Sequence, residues 1–599
     1  MKFAPHTLLL IALAATFAHT QTNIPQVQHV IVVVQENRTP DNLFNEDSIL
    51  ATHGGDIQPT NNQGYCGKNT VALMPTPLYT CWDPDHSHNV GRYGVGAWKA
   101  TWDNGKMDGA CNITILCHNG NDCTKNNDGC NDVTMCYGSN WHNCPYTYVD
   151  NTVWNKTQSP YDQILDPYFQ LSWQYGFANL MFQTNQGPSF PAHQFLFSGT
   201  SAPLAYSSNN PPSCKDGQGN SSPCYQWFAA ENNETGDSRY GCIGTSDSLI
   251  YQVDLETNES YSYTPPDPPN APAGFPCYEH PTLTDLLGGA SPKITWRYYA
   301  RAATDLWTAP DAIDHICQPT AVGGNCAGLA FNGESPVPPN VLLPSYVGAT
   351  QTGDAAPVLT DIESCNLQQV SWVIPDGNWS DHSNYSNIAQ GNGGDGGPSW
   401  VAAIVNAVGN ATSCDNGTGY WNDTVILVTW DDWGGYYDHV PPLAIGYPNG
   451  GNDNGAQYVY GFRVPLLAIS AYAVQTAQPP AVYTGYVSSV NHDFGSILNF
   501  IEYALAPKGQ RLGGQAGISG DPNFPYADFF APDVGLPPLD PYGLSDFFTY
   551  TQSNPTPIPF RTVNGAKYPE ICFHNPLYKS QTVTCFSTYP LDPDNDANE

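Results

Sequence analysis

The sequence predicts an α/β fold built on a parallel or mixed sheet with helices on both faces. Three observations lead there. Short runs rich in β-branched residues, His29–Gln35 and Val425–Trp430, suit strands buried on both faces. Such runs alternate with apolar stretches of helical spacing, at 400–408 and 494–502 for example. Both β-branched runs also end abruptly in oxygen donors, Glu36 and Asn37 after the first, Asp431 and Asp432 after the second. Ligands of open α/β sheets bind beyond the carboxyl ends of strands.

Taken in order, residues 1–20 read as a secretory signal peptide. Lys2 precedes an apolar core at 8–17, and Ala18-His19-Thr20 offers a cleavage site. The expected product is soluble and secreted or periplasmic, without a stable transmembrane anchor. Eighteen cysteines fit disulfides in an oxidising compartment. The dense set from Cys111 to Cys144 lacks a C-x-x-C pair, which argues against zinc. The formal net charge of −35, with 19 Lys plus Arg, excludes nucleic-acid binding and docking on anionic lipid by a basic patch.

After the strand at 29–35 come loops containing Asp83-Pro-Asp85-His86 and Asn104-Gly-Lys106. Two insertions rich in Asn and Cys follow, at about 110–150 and 207–280. Between them, 161–181 reads as mostly helical, and the residues after Pro191 as a short helix stopped by Gly199. Ser189 stands just ahead of that helix, a cap position. It is also where backbone N–H groups gather around a phosphate. Further on, 282–287 suggests a helix, 294–299 a strand, and 368–376 a strand ending in Asp376. Asp381-His382-Ser383, a helix at 400–408, the strand at 425–430 and a strand at 465–470 come next. Asn491 or Asp493 caps the final helix, with His492 at its entrance. The tail from about 506, pinned by Cys572 and Cys585, is expected to pack on the body.

Asp431 and Asp432 repel each other unless a cation or a proton lies between them. Turns also favour Asp and Gly, so one such pair is ordinary. Two strands ending in oxygen donors are harder to dismiss. A serine hydroxyl beside a divalent cation can ionise and attack phosphorus. A loop histidine such as His86 is commonly just exposed, and a lone Lys such as Lys106 commonly solvated. In so acidic a chain, however, Lys106 suits an anionic ligand.

Four stretches now stand together: QENRTPDNLF at 35–44, DPDHS at 83–87 with NGKMDG at 104–109, QGPSFPAHQFLFSGT at 186–200, and VTWDDWGGYYDHVPP at 428–442. Their order and content resemble the phosphoesterase family of non-specific phospholipases C and bacterial acid phosphatases, a branch of the alkaline phosphatase superfamily. The resemblance implies an alkaline-phosphatase-like mixed, mainly parallel sheet. It implies a catalytic domain over 21–505 and a C-terminal segment over 506–599. By position it implies Glu36, Asn37, Asp431, Asp432 and Ser189 as metal ligands and Ser189 as nucleophile. His86, His382 and His492 would line the pocket as catalytic candidates, and Asn104 and Lys106 would contact substrate. His439 is read as structural. Asp432-Trp433 departs from the Glu-His of many relatives, which opens metal preference and substrate fit. The cofactor is a divalent ion, with Ca, Mg, Mn and Zn all open. The expected substrate is a phosphate ester, phospholipid included. Phospholipase C-type cleavage of phosphodiesters leads, followed by acid phosphatase action on soluble monoesters. A non-catalytic secreted binding protein is the reading from another class.

Overall fold

The computed structural model describes residues 22–76, 78, 80, 82–88, 96–117, 121–122, 142–151, 165–201, 213–215, 221–223, 227–229, 240–246, 248, 250–254, 259–262, 275–303, 305–334, 339–342, 357–375, 380–383, 397–442, 444–446, 457–513, 543–550, 555–563, 571–573 and 584–586. The leader, Asp376 and most of both insertions lie outside these residues.

Eight strands form the central sheet. In chain order they are β1 (His29–Gln35), β2 (Gly176–Phe182), β3 (Trp296–Tyr299), β4 (Val341–Leu342), β5 (Val370–Val373), β6 (Thr424–Trp430), β7 (Leu466–Ser470) and β8 (Tyr486–Asp493). Their spatial order is β4-β3-β5-β1-β6-β7-β2-β8. β7 alone runs against its neighbours, and every other pairing is parallel. The sheet is therefore mixed and mainly parallel, as the sequence implied. β1 and β6 lie at its centre, and all but the first residue of their combined length is buried. This is why they read as continuous Val/Ile/Leu runs.

Helices α1 (Asp166–Gln174), α2 (Ser189–Ser198), α3 (Gly397–Asn410) and α4 (Phe494–Ala504) cover the sheet. α2 ends where expected, with Gly199 left-handed at φ 72°. The shorter helix Leu283–Gly289 begins at a capping box formed by Thr282 and Asp285.

Two expectations need correction. Of the helix read over 161–181, residues 161–164 lie outside the described residues, Asp166–Gln174 is helical, and from Gly176 the chain is strand β2. Tyr175 takes extended angles and breaks the helix. A seven-residue run with Asn179 as its one polar member, buried almost throughout, does not reveal its period. Likewise 490–493, read only as the entrance of the final helix, is also the end of strand β8, whose register shifts between Ser488 and Asn491, while Asp493 caps α4 as expected. Its mixed polar sequence hides a strand at the sheet edge.

Four disulfides are formed among the described residues: Cys66–Cys111, Cys242–Cys277, Cys317–Cys326 and Cys365–Cys414. Part of the tail lies along the body. Ile558 accepts from Trp421 Nε1 at 2.8 Å and donates to Ala471 O at 2.7 Å. Cys572 and Cys585 face each other across a two-stranded pair.

Candidate active site

β1 and β6 pair in register, with Gln35 opposite Trp430. Glu36 and Asn37 therefore leave the sheet directly beside Asp431 and Asp432. The two loops are then stitched together. Asp431 N–H donates to Gln35 O at 2.8 Å, and Arg38 N–H to Asp432 O at 3.0 Å. Asn37 N–H donates to Asp431 Oδ1 at 3.1 Å. Asn37 holds φ at 62°, a left-handed conformation that Asn tolerates better than most residues. Glu36, Asn37, Asp431 and Asp432 are all fully buried.

A third strand end brings the serine. Gln183 follows β2 and works in two directions. Its Oε1 accepts from Trp433 N–H at 3.0 Å, and its Nε2 donates to the carbonyls of Asn185 and Gly187, both at 3.0 Å. One buried side chain thus orders the aspartate loop and the loop leading into α2. Ser189 is the first residue of α2, with Pro188 at the cap. Its Oγ donates to Asp432 Oδ2 at 3.2 Å.

Two histidines reach Asn37. His382 Nδ1 lies 2.9 Å from Ser383 O and His86 Nδ1 2.9 Å from Pro84 O. Each carbonyl can only accept, so each Nδ1 carries the ring proton and each Nε2 accepts. Burial, then the nearby His86, pushes His382 down to about 3, consistent with a neutral ring. One end of the Asn37 amide lies 2.8 Å from His382 Nε2, and the other lies 3.2 and 3.3 Å from the two oxygens of Asp432. The amide nitrogen belongs beside the two imidazole acceptors, 3.5 Å from His86 Nε2. Its oxygen then faces Asp432. Three oxygens this close need a proton or a cation among them.

The aspartates behave accordingly. Burial raises the Asp431 carboxyl, but His193, Ser189 and the Asn37 backbone N–H outweigh it and hold it below the usual range. Burial and the charge of Asp431 push Asp432 well above that range. Without a cation the pair keeps one proton, and a divalent cation replaces it. Amide, hydroxyl and carboxylate oxygens make a donor set that fits such an ion. Among the described residues, two triplets of His, Cys, Asp or Glu have ligand atoms within 4.8 Å of one another, and neither is this one. Cys242–Cys277–Asp314 contains a disulfide. Asp41–Asp438–His439 already holds a cation, the buried guanidinium of Arg463. The candidate site depends instead on Asn37 and Ser189, whose donors are an amide and a hydroxyl.

The other candidates fall in different places. His86 and His382 are half-buried, their ring centroids 6.2 Å apart. His492 sits at the end of β8, 3.4 Å from Asp546 Oδ2 and against the Phe547 ring. Lys106 is exposed and paired with Asp103 at 2.7 Å. The side chain of Asn104 lies outside what the structure describes.

A profile of the phosphoesterase family matches residues 27–505. The chain belongs to the phosphoesterase family. Its match to non-specific phospholipase C6 of Arabidopsis thaliana is 32% identical over 83 residues, 13% of this chain and 16% of that protein. With non-specific phospholipase C3 of the same plant it is 43% identical over 58 residues, 9% of this chain and 11% of the relative. Non-hemolytic phospholipase C of Pseudomonas aeruginosa is 25% identical over 180 residues, 26% of this chain and 23% of its own length. The matched stretches thus span under a quarter of each relative. Among solved structures, the lipoteichoic acid synthase LtaP of Listeria monocytogenes aligns at 11% identity with a TM-score of 0.27, covering 61% of this chain and 71% of LtaP. That likeness is too weak to carry an argument.

Within this candidate site one residue escaped the sequence reading. His193 lies four residues after Ser189 on α2, and its Nε2 is 3.4 Å from Asp431 Oδ2. The i, i+4 spacing from Ser189 was the available signal, since such residues share a helix face.

The turn after Asp432 depends on Gly434, which is left-handed at φ 62°. A Cβ there would meet Asn37 O at 2.4 Å and Asn37 Cβ at 2.7 Å, neither of which can swing away. Gly434→Ala should therefore cost about 2 kcal/mol or more and push the two ligand loops apart. Urea unfolding checks the first effect and zinc or calcium titration the second. Unchanged stability and cation affinity would contradict the close approach.

Proposed function

We propose that this phosphoesterase is an exported, metal-dependent hydrolase that cleaves phosphodiesters in the manner of a phospholipase C, through a phosphoserine intermediate. The observation that carries this reading is the meeting of Asn37, Asp431, Asp432 and Ser189 at the ends of three strands. The named phospholipases C among its relatives favour the diester. The disulfides favour an oxidising compartment. No helix among the described residues is long and apolar enough to cross a membrane.

The residues divide the work. Asn37, Asp431, Asp432 and Ser189 would hold the cation, with Glu36 from the same strand end. When bound, the cation supplies charge neutralisation and a lower serine pKa. Ser189 Oγ attacks phosphorus in line, its proton held toward Asp432 Oδ2. It sits in the first turn of α2, where the helix dipole favours an anionic phosphoryl group. His86 takes up a proton at Nε2 before turnover and gives it to the departing alkoxide, because His382 is committed to Asn37 and Ser383. Water then attacks the phosphoserine and gives one proton to His86, while the released Ser189 oxygen takes back the proton held at Asp432 Oδ2.

The test is a parallel assay on phosphatidylcholine, bis-p-nitrophenyl phosphate and p-nitrophenyl phosphate, before and after exhaustive chelation. Cleavage of the two diesters should exceed that of the monoester, vanish on chelation and return with a divalent ion. Cleavage of the monoester alone would make the chain an acid phosphatase. Hydrolysis indifferent to chelation would overturn the metal-dependent reading.

A further inference from the structure

His193 is 1% exposed, and neither of its ring nitrogens has a hydrogen-bond partner. Buried imidazoles ordinarily satisfy both nitrogens, so an orphaned one needs a reason. Its Nε2 lies 3.4 Å from Asp431 Oδ2. That oxygen is also buried and makes no hydrogen bond. Asp431 spends its other oxygen on two backbone amides, those of Asn37 and Asp432. Two buried ligand atoms, 3.4 Å apart and without a well-formed hydrogen bond, therefore face each other at the proposed cation site.

The spacing has a simple meaning. Nitrogen and oxygen donors bind zinc at about 2.0–2.1 Å, and two of them at a tetrahedral angle stand about 3.4 Å apart. Donors sharing a direct hydrogen bond would ordinarily lie at about 2.7–2.9 Å in a charge-assisted pair. One helix delivers both groups, because Ser189 and His193 are a turn apart on α2. Ser189 reaches Asp432 and His193 reaches Asp431.

We infer that His193 Nε2 is a direct nitrogen ligand of the cation, sharing it with Asp431 Oδ2. This rests on the metal-dependent reading above and sharpens it. An imidazole in an otherwise oxygen set shifts preference from calcium and magnesium toward zinc, manganese and related first-row ions. The sequence alone pointed to oxygen donors only.

The experiment loads the purified full-length protein with Mn(II) and records pulsed electron paramagnetic resonance. A nitrogen coupling of the size given by a directly bound imidazole is expected in the unaltered protein. It should disappear in His193→Gln and persist in His86→Gln and His382→Gln. Zn(II) affinity should fall about 10–100-fold in His193→Gln, with Ca(II) affinity much less changed. Absence of nitrogen coupling in the unaltered, loaded protein overturns the inference without needing any variant to fold. Loss of the coupling in His86→Gln or His382→Gln while His193→Gln keeps it also overturns it. Should His193→Gln fail to fold, persistence of the coupling in both other variants supports His193 by elimination. A protein that hydrolyses esters with Mn(II) but shows only oxygen ligands sinks this inference alone. One that binds no divalent ion and cleaves no ester sinks the proposed function with it.

Discussion

Ser189→Ala should lower ester hydrolysis by roughly 10³-fold or more, the scale seen when an activated serine nucleophile is removed. The hydroxyl donates to Asp432 Oδ2 at 3.2 Å, inside a cluster closed to solvent. The variant should still bind a divalent cation, because Asn37, Asp431 and Asp432 are untouched. Its stability should fall by no more than about 1–3 kcal/mol, the cost of one lost buried hydrogen bond. Ser189→Thr keeps a hydroxyl and should retain part of the rate. Turnover of bis-p-nitrophenyl phosphate by all three proteins, with circular dichroism to check folding, decides the matter. A fully active Ser189→Ala protein would remove the assigned nucleophile.

The second large effect is expected far from any substrate. Arg463 is fully buried just before β7. Its Nε donates to Asp438 Oδ1 at 2.9 Å, and its Nη2 to Asp438 Oδ2 at 3.1 Å and Asp41 Oδ1 at 3.2 Å. Its Nη1 donates to the carbonyls of Asn179 and Asp56. His439 Nδ1 meets Asp41 from the other side at 2.8 Å. Asp41 lies just after Asn37 and Asp438 just after Asp432, so the guanidinium ties the two ligand loops together at their far ends. Arg463→Met leaves the buried Asp438 without its cation and Asp41 with His439 alone. That should destabilise the protein by about 3–5 kcal/mol. Cation affinity should fall as well, since the loops lose their common anchor. The urea midpoint and a zinc titration measure the two effects. A midpoint within error of the unaltered protein would show that the cluster does not clamp these loops.

Much of the centre was legible because β1 and β6 announce themselves twice. Each is a β-branched run, and each stops at oxygen donors. Burial on both faces forces such composition, and the abrupt polar ending marks where the sheet stops and a site begins. β2 and β8 were missed for opposite reasons. β2 is so evenly apolar that it carries no period, and β8 is so polar that it resembles a loop. Lys106 drew attention by its rarity, yet scarcity of charge says nothing about direction. The structure turns it to solvent against Asp103. His492 looked like a pocket residue at a helix entrance, but the neighbouring strand end places it against Asp546 and Phe547.

By itself the sequence determined the fold class, the family and the residues that end the two central strands. These follow from local composition and from motifs a few residues long, which tertiary context does not rewrite. Only the tertiary structure decided that the Asn37 amide lies between His382 and Asp432, that Gln183 couples the serine loop to the aspartate loop, and that His193 rather than Lys106 or His492 faces the carboxylates. Those outcomes depend on how a helix is rotated as it docks and on which carbonyl fixes a ring proton. Both are set by contacts between residues hundreds of positions apart, which no local pattern records.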